Sequence, residues 1–198
     1  MTIFLILLCY IIGSIPFGYI IVKKFAHIDI RTVGSGNIGA TNAGRVLGKW
    51  GFIVVFLLDF LKGFVPVLIC HLFYGESNIL LFVSIAIILG HIYTIFLKFK
   101  GGKGVATGLG IFAALDPVAT LLGAIIFGVV AFLSKMVSLS SIIASFCIAI
   151  YLWVFNSWMA LNLTISIIVL FIIYRHKENI RRILQGKEHK IGVRVDKS

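Results

Sequence analysis

Long apolar runs are the feature that most restricts how this chain can fold. Six of them are near the length that a helix needs to cross a hydrocarbon core of about 30 Å. They cover residues 3–22, 50–73, 79–99, 117–133, 137–155 and 158–174. The composition agrees, because 60% hydrophobic residues against 13% charged ones leave too little polar surface for a water-soluble domain. The sequence therefore predicts an all-α, polytopic membrane protein.

The first run is expected to remain as a transmembrane helix. It lacks the basic leading segment and the small-residue cleavage site of a secretory signal peptide. Pro16 permits a kink within it, and Gly13 and Gly18 permit close packing against a neighbouring helix.

A shorter apolar segment, residues 105–115, decides the topology. Eleven residues make a helix of about 17 Å, and length alone favours a re-entrant segment. Basic residues favour a crossing, because all of them then fall on the side where positive charge is enriched, the cytoplasm. These are Lys23, Lys24, Arg31, Arg45, Lys49, Lys98, Lys100, Lys103, Lys135 and the basic tail. We predict seven transmembrane helices with a short fourth helix, the N-terminus outside and the C-terminus cytoplasmic.

We expect one domain over residues 1–198, with residues 175–198 as a cytoplasmic or interfacial basic tail. An interfacial helix is predicted at the start of this tail, with Ile180, Ile183 and Leu184 toward the lipid and Gly186 ending it. The net charge of +11 is explained by topology, so nucleic acid is not expected as a partner.

The polar loop TVGSGNIGATNAGR, residues 32–45, is a candidate anion site. Glycine lets successive backbone N–H groups turn toward an anion, and no Cβ blocks its approach. Of its four glycines, Gly36 and Gly39 are expected to face the anion, and the side-chain donors are Asn37, Thr41 and Asn42. Arg45 adds a planar guanidinium suited to phosphate or carboxylate. The alternative is a mobile connector in which the glycines are merely flexible.

The loop KFKGGKGVAT, residues 98–107, is not a nucleotide-binding P-loop. That motif would require glycine at position 97 and serine or threonine at 104, where Leu97 and Gly104 stand. What remains is a glycine turn with Lys103 beside a helix N-terminus, where the dipole and free N–H groups favour phosphate. For Lys98 and Lys100 we adopt the alternative, that they are topology charges only.

The tail places two polar side chains on one helical face at the inner mouth of the last span. His176 and Asn179 are three residues apart. A histidine there can bind a phosphate or exchange a proton, or it can simply be an interfacial residue. Ser138 and Ser141 share a face at the start of the preceding span, where they can bind an anion or only cap and pack the helix.

Asp59 and Lys62 form an opposite-charge pair at i,i+3 within the second span. Ionisable residues in a membrane often mark function, but these two can also pair as structural glue. His91 is interpreted as a packing residue.

No metal or other cofactor is expected. The seven acidic residues are spread singly, and the histidines lack metal-ligand spacing. A relaxed acyltransferase-like His-x4-Glu match, His71 to Glu76, falls on the predicted outer face and is treated as chance.

Three motifs, GSGNIGATNAGR, FKGGKGVATGLG and HKENIRRILQGKEHK, occur in this order on one predicted face. With these motifs the chain resembles, over essentially its full length, the bacterial acyl-phosphate:glycerol-3-phosphate acyltransferase family. The resemblance implies transfer of a fatty acyl group from acyl phosphate to the 1-hydroxyl of glycerol 3-phosphate. The products would be 1-acylglycerol 3-phosphate and inorganic phosphate, in the first acylation of bacterial phospholipid synthesis, without direct use of acyl-CoA or acyl carrier protein.

The resemblance also implies roles for individual residues. Ser35 and Arg45 match essential residues of the family's first motif, and His176 and Asn179 match those of its third, whose glutamate, Glu188 here, would be structural. The second motif would bind glycerol 3-phosphate through Gly101, Gly102, Lys103 and Gly104.

On this basis we expect Arg45, Lys103, His176 and Asn179 to hold glycerol phosphate, and residues 37–42 to cradle the acyl-phosphate head. Either His176 or a substrate phosphate accepts the hydroxyl proton. Ser35 is expected to donate a hydrogen bond, the alternative being an acylated nucleophile.

The expected location is the bacterial cytoplasmic (inner) membrane, with membrane lipid around the protein and a site open to the cytoplasm. The enzyme that supplies acyl phosphate is a candidate partner.

Two rival functions were weighed. A transporter for a phosphorylated solute would also use a recessed helix N-terminus, but the spans offer few polar residues for a pathway. A metal-dependent phosphatidyltransferase would need clustered aspartates, which the sequence lacks.

Overall fold

The computed structural model describes residues 2–192, and every regular element in this range is helical. The helices are α1 Thr2–Ser14, α2 Phe17–Ala26, α3 Ala40–Leu47, α4 Lys49–Tyr74, α5 Asn78–Ile92, α6 Val105–Leu115, α7 Pro117–Ser134, α8 Val137–Phe155, α9 Met159–Arg175 and α10 Lys177–Leu184. Two single-turn 3₁₀ helices, Ile30–Thr32 and Ile95–Leu97, lie in the connections. Residues 193–198 of the predicted basic tail lie outside the described residues.

Five segments are long and apolar enough to cross a membrane. They are Thr2–Ala26, which joins α1 and α2, then α4, Asn78–Leu97, α7 and α8. The α9 helix, 17 residues long, is bent by 56° relative to α10, and the two together make a sixth candidate span. The short apolar α6 helix covers residues 105–115, as predicted. The all-helical membrane fold is confirmed, while the count of seven crossings and the orientation of the termini remain predictions.

The kink predicted at Pro16 is a complete break between α1 and α2. Proline cannot continue the helix, so α1 ends at Ser14 and the last carbonyls of its C-terminal end have no partner within the helix. Two side chains from other spans bind these carbonyls. Lys62 Nζ donates to the Ile15 carbonyl at 2.8 Å, and the Thr94 hydroxyl donates to the Ser14 carbonyl. The first span is thereby fastened to α4 and to the end of α5.

Glycines allow the central helices to approach closely. A Cβ at Gly90 of α5 would overlap the α1 backbone at Tyr10, and one at Gly110 of α6 would overlap the α4 backbone at Phe60. In lipid, where apolar side chains gain little by associating, such close backbone packing drives helix association. The short α6 helix is held in the middle of the bundle in this way.

The structure differs from the sequence predictions in the helical detail of two segments. The third span, predicted at residues 79–99, agrees within two residues with the apolar segment Asn78–Leu97, but it is not one continuous helix, because α5 ends at Ile92 and the 3₁₀ helix Ile95–Leu97 follows. The amides of Gly101 and Gly102 return to bind the carbonyls of Ile92 and His91 and so close the end of α5.

The second difference concerns the polar loop at residues 32–45, whose last six residues belong to α3, Ala40–Leu47. Glycine, asparagine and threonine are weak helix formers, so the helix signal was hidden. Tertiary packing supplies the stability instead. The buried Ala43 and Val46 join Val55 of α4 and Val22 of α2 in a small apolar cluster beneath the loop.

Candidate active site

One cavity of about 350 Å³ collects the polar motifs at one end of the bundle. Its polar end is lined by α3 with the preceding loop, by the residues before α6, and by the α9–α10 junction. Its other end is apolar and lies among α4, α6, α7 and α8. Of the predicted site residues, eleven line it: Ser35, Asn37, Gly39, Thr41, Asn42, Arg45, Lys103, Gly104, Ser141, His176 and Asn179. The predicted structural residue Glu188 lines it as well.

Three predicted substrate-binding glycines do not line this cavity. The Gly36 amide donates to the Val33 carbonyl in a turn, with φ of 67°. Gly101 and Gly102 use their amides to cap α5, and a Cβ on Gly102 would overlap the ring of His91. Their carbonyls accept hydrogen bonds from the Arg175 guanidinium. Because protein carbonyls already use these amides, the geometry does not support their expected contact with an anion, and their role in binding stays a prediction.

Asn42 holds the first loop in shape rather than offering a donor to the cavity. Its amide nitrogen donates to the carbonyls of Ile30 and Val33 at 3.1 and 3.0 Å, and its oxygen accepts from the Ser35 N–H. Both amide hydrogens are thus used, so the expected substrate contact by this side chain is not supported.

Free donors at the same place come from the backbone. Gly39 precedes α3 in an extended conformation, and no side chain caps the helix. Within residues 2–192 the N–H groups of Ala40 and Thr41 have no backbone acceptor. Unpaired amides at a helix N-terminus, together with the helix dipole, favour an anion.

A chain of hydrogen bonds joins the second loop to the tail. Lys103 Nζ donates to Asn179 Oδ1, and Asn179 Nδ2 donates to Glu188 Oε1 at 2.6 Å. Since an ammonium can only donate and a carboxylate only accepts, these partners fix which way the Asn179 amide points. Ser138 Oγ also donates to Glu188 Oε1, and Arg182 Nε donates to Oε2, both at 2.8 Å. Glu188 thus binds three side chains at once, consistent with its expected structural role.

The environment shifts the pKa of both charged ends of this chain. Burial lowers the pKa of Lys103 to about 8, and the neighbouring Arg182, Arg45 and Arg175 contribute in the same direction against the opposing effect of Glu188. For Glu188, burial raises the pKa, but hydrogen bonds from Asn179, Ser138 and Arg182 outweigh it, so its pKa lies below the ordinary value. At neutral pH the site holds an ammonium whose proton is only weakly retained.

His176 is buried at the junction of α9 and α10, and its tautomer follows from its partner. Its Nδ1 lies 2.8 Å from the carbonyl oxygen of Ile172, which can only accept, so Nδ1 carries a proton. Burial and the charge of Lys103 lower the pKa of His176 to about 4, and the ring is neutral at pH 7. Nε2 is then an unprotonated nitrogen, available as a hydrogen-bond acceptor.

Arg45 and Ser35 both line the cavity without side-chain partners. The half-buried Arg45 guanidinium makes no side-chain hydrogen bond or ion pair within the described part of the chain. The Ser35 hydroxyl likewise has no hydrogen-bond partner there, so no histidine or carboxylate is in place to activate it. Arg45 is a free cation suited to an oxyanion, and Ser35 is a free hydroxyl.

Ser138 and Ser141 of α8 make different hydrogen bonds. Ser141 Oγ donates to the Val137 carbonyl at 2.8 Å, so its hydrogen is used within the helix. Ser138 binds Glu188 instead. The packing interpretation is supported for Ser141, and its expected role as a substrate donor is not.

The predicted ion pair within the second span is present. Lys62 Nζ lies 2.6 Å from Asp59 Oδ1, and both side chains are almost fully buried. His91 Nδ1 lies 3.8 Å from the same oxygen and 3.0 Å from the Thr107 hydroxyl. Asp59 and His91 line the cavity. Because Lys62 binds both Asp59 and the Ile15 carbonyl, the Asp59–Lys62 ion pair connects the break at Pro16 to the site.

Sequence reasoning missed several lining residues. Arg182 and His189 bring further basic groups, which had been attributed to topology. The apolar wall includes Phe52 and Phe56, which continue with Phe60 and Phe64 into a row of rings stacked at i,i+4. That spacing is visible in the sequence, but it does not show which neighbour the row faces.

No group of three or more His, Cys, Asp and Glu side chains could hold a metal ion within residues 2–192. The expectation of a metal-free site remains a prediction.

Fold and site together define a helical integral membrane protein whose cavity is cationic at one end and apolar at the other. The glycerol-3-phosphate acyltransferase family model matches residues 3–186, and the chain belongs to this family. Glycerol-3-phosphate acyltransferase of Aquifex aeolicus (strain VF5) is 45% identical over 192 residues, covering 96% of this chain and 98% of the relative. The corresponding protein of Fusobacterium nucleatum is 46% identical over 185 residues, covering 93% and 95%.

Two solved structures share the fold. Both are of PlsY (YgiH), an integral membrane glycerol 3-phosphate acyltransferase. Its glycerol 3-phosphate form gives a TM-score of 0.93 at 44% identity over 96% of both chains. Its lysophosphatidic acid form gives 0.90 at 43% identity, over 96% of this chain and 95% of the other.

Proposed function

We propose that this protein transfers a fatty acyl group from acyl phosphate to the 1-hydroxyl of glycerol 3-phosphate. The observation that carries the proposal is that one cavity joins a cluster of cations and free N–H groups to an apolar channel among four spans. A donor with a phosphate head and an acyl tail matches both ends. The acceptor is supported by the family and by the PlsY structure in its glycerol 3-phosphate form.

Glycerol 3-phosphate is proposed to bind between α3 and the α9–α10 junction. Arg45 offers a free planar fork to its phosphate, and Lys103, held by Asn179, adds a second positive charge. His176 accepts the hydrogen bond of the 1-hydroxyl at Nε2, because its Nδ1 is engaged with Ile172. Glu188 contributes by fixing Asn179 and need not touch the substrate.

The head of acyl phosphate is proposed to bind at the N-terminus of α3. Its oxygens would accept from the unpaired amides of Ala40 and Thr41, with the hydroxyl of Ser35 nearby on the same loop. The acyl tail would run down the apolar wall toward Phe112 and Ile148.

The chemistry requires proximity and charge stabilisation more than activation. The 1-hydroxyl attacks the acyl carbon, the new ester C–O bond forms, and the C–O bond to phosphate breaks with phosphate as the leaving group. A base with a pKa of about 4 binds the hydroxyl but does not keep its proton at neutral pH. The proton therefore ends on the departing phosphate, with His176 orienting the hydroxyl.

The transporter alternative has less support. A transported phosphate would need polar groups beyond the site, and the cavity instead ends among apolar residues such as Phe112 and Ile148. A long apolar end suits a fatty chain, which a phosphorylated solute does not carry.

We further propose that the protein is one domain with seven crossings, α6 being the short fourth one. The elements at the polar end, namely the two polar loops with α3 and the segment from Arg175 onward, carry most basic residues outside the spans, so this end would face the cytoplasm. The location would be the bacterial cytoplasmic membrane, where a peripheral enzyme could supply acyl phosphate.

The test is direct. Purified protein is given palmitoyl phosphate and glycerol 3-phosphate in the presence of a chelator, and both phosphate and 1-acylglycerol 3-phosphate are measured. Palmitoyl-CoA and palmitoyl-acyl carrier protein serve as alternative donors in parallel. Product from acyl phosphate alone is expected. Activity only with a thioester donor would refute the proposed donor, and activity abolished by the chelator would refute the metal-free mechanism.

A further inference from the structure

We infer that the contact between Gly123 of α7 and Ile148 of α8 closes the apolar end of the cavity and sets the longest acyl chain the site accepts. This rests on the proposed function, since the occupant is the acyl tail of acyl phosphate.

The cavity has a definite deep end. On α8 its lining begins beside Ser138, which is bound to Glu188, and its deepest lining residue on that helix is Ile148. Ten residues of helix separate them, a distance of about 15 Å. On the antiparallel α7 the lining runs from Phe127 to Gly123, so both helices end their contribution at the same level. A chain entering from the polar end therefore meets Gly123 and Ile148 last.

The closure depends on one side chain and one missing side chain. Ile148 is only 3% exposed, and its Cγ1 and Cδ1 atoms occupy the place where a Cβ of residue 123 would be. Because Gly123 has no Cβ, Ile148 fits directly against the backbone of α7. The two residues together close the apolar end of the cavity, and we call their contact the floor.

A second cavity adjoins this contact, and it is an open groove whose lining includes the exposed Ile150, Val154 and Phe155. Its volume is about 230 Å³, it lies between α7 and α8, and Gly123 and Ile148 line it as well. They are the residues common to both cavities. The remaining lining is almost entirely apolar, including Leu122 and Tyr151, and could accept further methylene groups. Gly123 and Ile148 thus separate the apolar end of the first cavity from a groove of the same chemistry.

Changes to the two residues should act in opposite directions. Ile148→Ala opens the floor, so longer chains gain room in the second cavity. Gly123→Val adds bulk where Ile148 lies, which pushes the floor toward the site and excludes longer chains. Each methylene that gains or loses its place in an apolar pocket changes discrimination by about tenfold or more.

The experiment measures kcat/KM for a series of saturated acyl phosphates from lauroyl to arachidoyl, with glycerol 3-phosphate fixed. For Ile148→Ala we expect the arachidoyl-to-palmitoyl ratio to rise about tenfold over the unmodified protein, and for Gly123→Val the palmitoyl-to-lauroyl ratio to fall about tenfold. Ile125→Ala is the matched control, since Ile125 is on α7, is 55% exposed and lines neither cavity. Ratios within one preparation are insensitive to a partly inactive fraction.

A labelling experiment on the unmodified protein decides the matter if either variant fails to fold. Palmitoyl phosphate with a terminal diazirine is photolysed in the site, and the modified peptide is identified by mass spectrometry. Label on the segments around Gly123 or Ile148 is expected. Unchanged chain-length ratios in the folded variants, or label confined to other helices, would overturn the inference. If the unmodified protein transfers no acyl group from any acyl phosphate, the proposed function fails first.

Discussion

The ammonium of Lys103 donates a hydrogen bond to the side-chain oxygen of Asn179, although 76 residues separate them in the sequence. The contact joins the turn before α6 to the first turns of α10. Because Asn179 also binds Glu188, the position of the cation depends on a carboxylate that it does not touch. The polar end of the cavity therefore behaves as one connected unit.

The first prediction concerns pH. Burial lowers the pKa of Lys103 to about 8, so its charge is present below that pH and is lost as pH rises through it. If Lys103 holds a substrate phosphate, KM for glycerol 3-phosphate should rise above pH 8, by up to about tenfold per pH unit. Lys103→Arg should bind more weakly at neutral pH but show no such rise. A steep alkaline rise that persists in this variant would assign the titration to another group.

The second prediction concerns Glu188. Its negative charge raises the pKa of Lys103, so Glu188→Gln should move the alkaline rise in KM to lower pH. The free energy of unfolding should fall by about 2 kcal/mol, because three donors lose a charged acceptor. Ser138→Ala, which removes one of these bonds without changing charge, is the control and should leave the midpoint in place. If the alkaline rise in KM has the same midpoint pH in the unmodified protein and in both variants, the charge of Glu188 does not affect the pKa of Lys103.

The third prediction concerns Arg45. Lysine cannot reproduce the two parallel hydrogen bonds of a guanidinium to phosphate, so Arg45→Lys should lower kcat/KM for glycerol 3-phosphate by roughly 10- to 100-fold. Arg31→Lys is the matched control, because Arg31 is exposed, pairs with Asp29 on the surface and does not line the cavity. Similar losses in both variants would indicate that general positive charge, rather than the fork of Arg45, is what binds.

The fourth prediction concerns Ser35. If it only donates a hydrogen bond, Ser35→Ala should lose about 1 kcal/mol of binding or transition-state stabilisation, roughly fivefold in rate. Quenched reactions of the unmodified enzyme with acyl phosphate should show no acylated protein by intact mass. An acyl adduct on Ser35, with inactivity of the alanine variant, would make it the nucleophile.

The fifth prediction separates packing glycines from binding glycines. A Cβ at Gly102 would overlap the ring of His91, so Gly102→Ala should reduce stability in detergent by about 1–3 kcal/mol. Gly128→Ala on α7 has open space around the new methyl group and should be neutral. Thermal unfolding of both variants gives the comparison. A fully stable Gly102→Ala protein with weakened glycerol 3-phosphate binding would restore the sequence-based interpretation of this loop.

The spans were predictable because hydropathy and length are local properties of the chain. The segment predicted at residues 50–73 is α4 within one residue at each end, and α6 has the predicted bounds. The convergence of Arg45, Lys103 and His176 on one cavity also followed, since charge placement set the side on which each loop lies.

The use of each donor could not be predicted in the same way. Gly101 and Gly102 lie in a motif that suggests an anion cradle. Their amides instead bind carbonyls at the end of α5, which lie outside the motif. Asn42 and Ser141 were assigned to substrate for their chemistry, but neighbouring carbonyls take their hydrogens. Whether a donor is free depends on what packs against it, and packing is not a local property.

The break at Pro16 has a consequence for how the protein is made. The carbonyls of Ser14 and Ile15 are bound by Thr94 and Lys62, residues that leave the ribosome long after the first span does. Until then the Ser14 oxygen must be hydrated or held by other molecules, because an unpaired carbonyl is costly in hydrocarbon, while the Ile15 oxygen has the Phe17 N–H alone. Lys62 in turn enters the bilayer with both of its acceptors, Asp59 and the broken helix, already synthesised. Both acceptors of the Lys62 ammonium are therefore synthesised before Lys62 itself. The first span gains its last hydrogen bond only after the third span, which carries Thr94, has been inserted.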